Sequence, residues 1–196
     1  MTTNDGWNAT QLSARTLRVL AHPLRLRMLG LLRTDGAATA SGLAQRVGES
    51  SGTTSWHLRQ LAEVGLVEQD TELGNKRERW WRAVHDAQQL ATTDFLNDPE
   101  QAADLRVYLH SVVEQRYAME SQFVAEYDSW PQEWIESVNL SDFRLSLTAD
   151  ETAALNNEIQ DVLQRYTRDA REGDSPVHIH WGAFPRTPRP ESGEQS

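Results

Sequence analysis

Apolar residues in the first third of the chain recur in short bursts at helical spacing. Leu12, Thr16, Val19 and Leu20 suit a helix that ends near His22-Pro23, because proline disfavours helical backbone at the residue before it. Leu24, Met28, Leu31 and Leu32 mark the face of a second helix, with Arg25, Arg27 and Arg33 beside it, and Asp35-Gly36 breaks it. Ala40, Leu43, Ala44 and Val47 stand at i, i+3, i+4 and i+7, with Thr39 placed to cap that helix and Gly48 to stop it. Leu58, Leu61 and Ala62 form the inner stripe of a fourth helix, capped by Ser50 or Ser51. Gly65 is placed as a left-handed terminator that folds Leu66 back onto Leu61. Two short helices joined by a tight glycine-containing turn make a helix-turn-helix.

Next, LVEQD and RERWWRAV read as two strands around the turn TELGNK, in which Gly74-Asn75 is a hairpin signal. Helices, a helix-turn-helix and a basic hairpin together predict a winged helix over residues 11–85. Residues 86–96 carry a weak helical pattern. Asp98-Pro99-Glu100-Gln101 then combines an N-cap, a proline at the first helical position and a capping-box glutamine. Leu105, Leu109, Val112, Met119, Phe123 and Tyr127 follow at three- and four-residue steps, interrupted by Arg116. A helix of that length with such a stripe asks for a partner helix, either inside the subunit or in a second copy.

Beyond Pro131 come a short helix (PQEWIESV), an alternating segment (FRLSL), and a capping box at Thr148–Glu151. The capping box opens a helix with Leu155, Ile159, Val162, Leu163 and Tyr166 on one side. PVHIHWGAF reads as a second alternating strand, and residues 185–196 as a disordered, proline-rich tail. The expected class is mainly α with a small β component. A winged helix-turn-helix domain is followed, over residues 86–184, by a helical dimerisation segment and a small α+β C-terminal region.

Composition narrows the chemistry. None of the 196 residues is cysteine, so disulfides, thiolate metal sites and cysteine nucleophiles are excluded. No apolar run approaches the roughly 20 residues of a membrane span, and the polar start MTTNDGWNAT is no signal peptide, so a cytoplasmic protein is expected. The net charge of −10 is unevenly spread: residues 11–85 hold eleven Arg/Lys against seven Asp/Glu, whereas residues 86–196 hold eight against 21. A phosphate responds to the local field over a binding face, so the acidic total does not exclude nucleic acid.

The fourth helix carries no acid from Ser51 to Ala62. With its apolar stripe turned inward, Gly52, Thr53, Trp56, Arg59, Gln60 and Glu63 point outward, and Ser51 and Ser55 lie at the leading edge. Short hydroxyl residues allow close approach to a groove. Gln60 is suited to adenine, Arg59 to guanine or phosphate, and the Trp56 ring to a thymine methyl or the sugar edge. Lys76, Arg77 and Arg79 on the hairpin, with Arg82 beside them, suit the neighbouring phosphates. His57 borders the inner face and reads as a hydrogen-bonded core or edge residue.

These residues resemble a known family. LRVLAHPLRLRMLGLL, followed by LAQRVGESSGTTSWHLRQLAEVGLVE and the basic hairpin, is similar to the ArsR/SmtB-type winged-helix regulators over about residues 12–85. The resemblance implies a homodimeric transcriptional regulator that binds a palindromic operator, usually as a repressor released by an effector. Ser51, Gly52, Ser55 and Trp56 then occupy the family's DNA-facing positions, although Trp56 stands where Arg, His or Tyr is common.

The chain departs from the family's metal sensors. It has no cysteine for an arsenite-type site, and His110 with Glu114 has no D-x-H partner upstream. His178 and His180 share one strand face and lack an evident third ligand, so no metal or other cofactor is expected. An organic effector is the alternative, with Tyr108, Trp81, Trp130, Trp134 and Trp181 as candidate pocket residues; a plain hydrophobic core explains them equally well. No catalytic fingerprint such as G-x-S-x-G, a P-loop or H-E-x-x-H is present, and an enzyme is not expected. The alternative function is a winged helix used mainly for protein–protein contacts.

Overall fold

The computed structural model describes residues 9–73, 78–85 and 87–186. They divide into two compact units that meet in sequence at Glu136 and Ser137. This boundary lies beyond the long helix, so the helix following the hairpin belongs with the first unit.

The first unit opens with strand β1 (Ala9–Gln11) and helix α1 (Ala14–Leu20), whose first turn is closed by the Ser13 hydroxyl accepting from the Thr16 N–H. Helix α2 (Pro23–Thr34) starts with Pro23 at a position that needs no N–H donor. Its fully buried face is Leu26, Met28, Leu29 and Leu32, whereas Leu24 and Leu31, expected inside, are only half-buried at its border. Strand β2 (Ala38–Thr39) leads into α3 (Ala40–Val47), capped by the Thr39 hydroxyl at the Gly42 N–H and ended by Gly48 at φ 76°. Helix α4 (Ser51–Glu63) is capped by Ser50, which accepts from the Thr53 N–H.

At the end of α4 the N–H of Leu66 bonds the Leu61 carbonyl and that of Gly65 bonds the Ala62 carbonyl. These two bonds make a Schellman ending around Gly65 at φ 72°. It satisfies two orphan carbonyls and sends Leu66 and Val67 back into the core, where both are buried. Strands β3 (Val67–Asp70) and β4 (Trp80–Ala83) form the wing, with Glu68 opposite Arg82 and Asp70 opposite Trp80. The short β2 pairs antiparallel with β4 to give sheet order β2-β4-β3. The predicted turn Gly74-Asn75, and Lys76 and Arg77, lie outside the described residues.

Residues 87–96 do not form the weak helix predicted over 86–96, of which Asp86 lies outside the described residues. Ala87–Gln89 is strand β5, parallel to β1, and Thr92–Phe95 is a 3-10 turn that sinks Phe95 into the core. The backbone bonds of this segment go to a strand nearly eighty residues earlier, a pairing that local periodicity does not report. Helix α5 (Pro99–Ala125) follows, with the Asp98 carboxylate accepting from the N–H groups of Glu100 and Gln101. It packs on α1 and α2 through Ala102, Leu105, Tyr108 and Ser111. Its seat on α2 is close: a Cβ at Gly30 would come within 2.3 Å of the Gln115 amide nitrogen. Arg18 adds ion pairs to Glu100 at 2.6 Å and Asp104 at 3.3 Å, solvent-facing contacts worth about 0–1 kcal/mol each. After a 3-10 turn (Tyr127–Ser129), the short helix α6 (Gln132–Ser137) reaches the boundary between the units.

The second unit contains α7 (Ala149–Tyr166), opened by a complete capping box between Thr148 and Glu151. The two strands expected here are absent among the described residues: FRLSL and PVHIHWGAF are irregular. Alternation suits a strand only where another strand offers a ladder, and a lone two-stranded ribbon is marginal in water. Arg168 closes the chain beyond α7 by donating to both carboxylate oxygens of Asp174, which holds that carboxyl down at about 2. The Trp181 indole N–H donates to Asn156 at 3.2 Å, so residues near 181 lie along α7.

The core of the first unit centres on Leu17, Leu20, Met28, Leu29, Leu43, Leu58, Leu61 and Leu66. Gly65 tests how far this arrangement depends on backbone chemistry. A Cβ added there meets no atom within 4 Å, so the whole cost of Gly65→Ala is its left-handed conformation. Urea unfolding is expected to show a loss of about 1–2 kcal/mol for that substitution.

Candidate nucleic-acid interface

The inner face of α4 is made by Thr54, His57, Leu58 and Leu61, all buried. Thr54, a residue with no place in the apolar stripe, satisfies its hydroxyl by donating to the Ser50 carbonyl at 3.0 Å. With that face fixed, Ser51, Gly52, Trp56 and Arg59 are exposed, and Thr53, Ser55 and Gln60 are half-exposed. Trp56, at 48 % exposure, is the one large aromatic ring on this surface of α4. Arg59 donates from Nε to the Ser55 carbonyl, and Gln60 donates from its amide nitrogen to Glu63 at 3.1 Å.

Beside α4 lies a groove of about 320 Å3 walled by three elements: Ser41 from α3, Ser55 and Arg59 from α4, and Glu78, Arg79 and Trp81 from the wing. Hydroxyls and two guanidinium groups predominate there, with a single carboxylate. Neither α3 nor α4 carries an acidic residue in its first turn, whereas α5 has Glu100 and α7 has Asp150 and Glu151. Glu49, directly before the Ser50 N-cap, is the carboxylate beside the start of α4, and Glu78 stands on the groove wall near the start of α3. On the wing, Arg82 is engaged by Glu68 at 2.6 Å across the strand pair. Arg79 is exposed on the groove wall, while Lys76 and Arg77 fall outside the described residues.

A cluster that sequence reasoning did not anticipate sits behind Trp56. Arg25 of α2 donates from Nε to His57 Nδ1 at 3.2 Å and from a terminal nitrogen to the Val19 carbonyl at 2.9 Å. Its guanidinium carbon lies 5.3 Å from the centre of the Trp56 ring. The His57 ring meets Trp56 edge-on at 4.8 Å and His22 at 4.5 Å. Because Nδ1 of His57 accepts a bond, the imidazole is neutral with its proton on Nε2. The signal was present in sequence as two separate patterns, His22-Pro-x-Arg25 and Ser55-x-His57-Leu58, with nothing local to say that they touch.

Of the five aromatic residues considered for an effector pocket, four lie in the first unit and Trp181 in the second. Trp81 and Tyr108 are buried in the core of the first unit, and burial holds the Tyr108 hydroxyl above its usual range. Trp130 is 42 % exposed with its ring 5.7 Å from Phe123, Trp134 is half-buried on α6, and Trp181 belongs to the second unit. Of the five, Trp81 alone reaches the groove described above. Among the described residues no three His, Asp or Glu side chains gather in a way that would hold a metal ion, and no helix is long and apolar enough to cross a membrane.

Residues 20–70 match the family described as a helix-turn-helix domain, the span from the end of α1 through β3. That match is to a binding fold and not to an enzyme. No curated protein matches the chain. Among solved structures, one described as a possible transcriptional regulator for arsenical resistance is 32 % identical over 52 % of this chain and 85 % of its own, with a TM-score of 0.32. A substituted form of ZitR from Lactococcus lactis, without ligand, is 11 % identical over 75 % of this chain and 83 % of its own, at 0.31. Wild-type MarR from E. coli, also without ligand, is 18 % identical over 74 % and 87 %, at 0.30.

The cluster behind Trp56 carries a pH signature. Burial and then the Arg25 charge lower the pKa of His22 from 6.5, against a backbone hydrogen bond and Glu49; burial, then His22 and Arg25, lower that of His57, against Glu49. A base held below its unfolded pKa binds fewer protons folded than unfolded across that interval, so stability rises with pH there. The contribution is complete above 6.5 and is lost as pH falls through the lowered folded values. Histidine ring resonances followed by NMR should titrate below 6.5 at positions 22 and 57, and unfolding free energy should decline on acidification in that window.

Proposed function

We propose that the chain is a sequence-specific, DNA-binding transcription regulator of the ArsR type, which sets α4 in the major groove. The observation that carries this reading is the outer face of α4. It is acid-free from Ser51 to Ala62, fixed outward by its buried opposite side, and flanked by a groove with Arg59 and Arg79 on its walls. In this reading Ser51, Gly52, Thr53, Ser55 and Trp56 approach base edges and sugars, Gln60 reads a base, and Arg59 and Arg79 with Lys76 and Arg77 neutralise phosphates. Gly52 contributes by lacking a side chain where the helix start would meet the backbone of the duplex.

The reading includes a homodimer on a palindromic site. It is supported by α5, whose side away from the core leaves Leu109, Val113, Tyr117 and Val124 exposed along the helix. These positions fall on one line at near-helical spacing, the pattern of a helix that pairs with a second copy. Two copies would present their recognition helices one turn of DNA apart, about 34 Å. Repression, with release by an organic effector and not by a metal, completes the proposal. The cysteine-free composition supports it, and the aromatic side chains Tyr108, Trp130 and Trp134 on and beside α5 are the candidates to sense such a ligand.

The test is a salt titration of duplex binding by the full chain. Arg59→Ala with Arg79→Ala should weaken binding to specific and random duplex alike. It should also reduce the slope of log affinity against log salt by about 0.9 for each phosphate contact removed, or roughly 2 for the pair. An unchanged slope would remove these two residues from the interface. Salt-insensitive or absent retention of the wild-type protein on DNA would favour a module for protein contacts instead.

A further inference from the structure

We propose that Arg25 is a positioning residue for base recognition, holding the Trp56 ring at one fixed orientation on the outer face of α4 from its seat in α2; this rests on the DNA-binding reading above. Arg25 contacts three separate partners. It donates to the Val19 carbonyl at the end of α1 and to His57 on the inner side of α4, and it presents its guanidinium to the Trp56 ring at 5.3 Å. The approach to the indole lies within cation–π range. Next to the guanidinium, the His57 ring that Arg25 bonds meets Trp56 edge-on at 4.8 Å, and His57 is in turn supported by His22 at 4.5 Å. A half-exposed tryptophan on a helix would otherwise sample several rotamers. Here two neighbours bonded to each other, Arg25 and His57, brace it before any DNA arrives.

The consequence concerns specificity more than affinity. A side chain already ordered in the free protein loses less entropy on binding, and a ring that cannot swing away rejects a base step that it does not fit. Arg25 is suited to this task by its shape. The planar fork directs one N–H to an imidazole nitrogen and another to a carbonyl while its charge stays 5.3 Å from the centre of the indole. Lysine carries the same charge as a single point and cannot do all three. A phosphate contact by Arg25 would require only the charge, and that difference separates the two roles.

The experiment selects duplexes from a randomised pool with the full-length protein, in four forms: wild type, Arg25→Lys, Trp56→Ala and the double variant. Base preference and salt slope are read for each. Arg25→Lys is expected to keep the wild-type salt slope while losing about two- to fivefold of its discrimination at the positions that Trp56→Ala also alters. The double variant is expected to be no worse there than Trp56→Ala alone, because the two residues act as a unit. Arg25→Gln, which retains a donor for His57 without the cation, should show the same loss and serves if Arg25→Lys does not fold.

A wild-type base profile in both Arg25 variants would overturn the proposal. A uniform loss across all sequences with a reduced slope would also overturn it, by making Arg25 a phosphate contact. Wild-type protein that retains no duplex would overturn the DNA-binding reading itself and this proposal with it, an outcome distinct from the other two.

Discussion

The burial of one face of α4 is the constraint on which the rest depends. Leu58 and Leu61 are wholly excluded from solvent, and Thr54 and His57 join them only because each has an internal hydrogen-bond partner. A helix rotated by one position would expose these leucines and bury polar groups without partners, at a cost of several kcal/mol. The packing therefore fixes the rotation of α4, and that rotation decides which six or seven side chains a ligand meets. The Schellman turn at Gly65 extends the constraint by returning Leu66 and Val67 to the same core, from which the wing starts.

The acid-rich composition does not extend to α4 between Ser51 and Ala62, which carries no carboxylate. Glu49 and Glu63 stand at the two ends of α4 in sequence, and Glu78 on the groove wall. Between them the helix offers hydroxyls, a guanidinium and a tryptophan. Local arrangement, more than total charge, is what an approaching phosphate experiences. Behind this surface, Arg25 joins α1, α2 and α4 through contacts that leave its charge partly exposed beside Trp56.

Elements whose signals are local were legible from spacing and capping chemistry. Thr39, Asp98 and Thr148 cap the helices their positions predict, and Gly48 and Gly65 take the left-handed backbone that a stop requires. The outward set on α4 also followed from the positions of Leu58 and Leu61. What depended on distant partners was not legible. Ala9–Gln11 and Ala87–Gln89 are too short and polar to show alternation, yet they pair in parallel. FRLSL shows clear alternation and forms no strand, because alternation records a preference for a ladder that another segment must supply. The contact of Arg25 with His57 spans 32 positions and depends on how two helices cross.

Guanine N7 lies in the major groove, so methylation interference on a duplex recovered from a randomised pool reports whether α4 enters that groove. Two copies of α4 in the major groove should give two blocks of interference about one helical turn apart, with modification of the minor groove between them without effect. Interference confined to the minor groove, or none at any guanine, would contradict the placement of α4 against DNA.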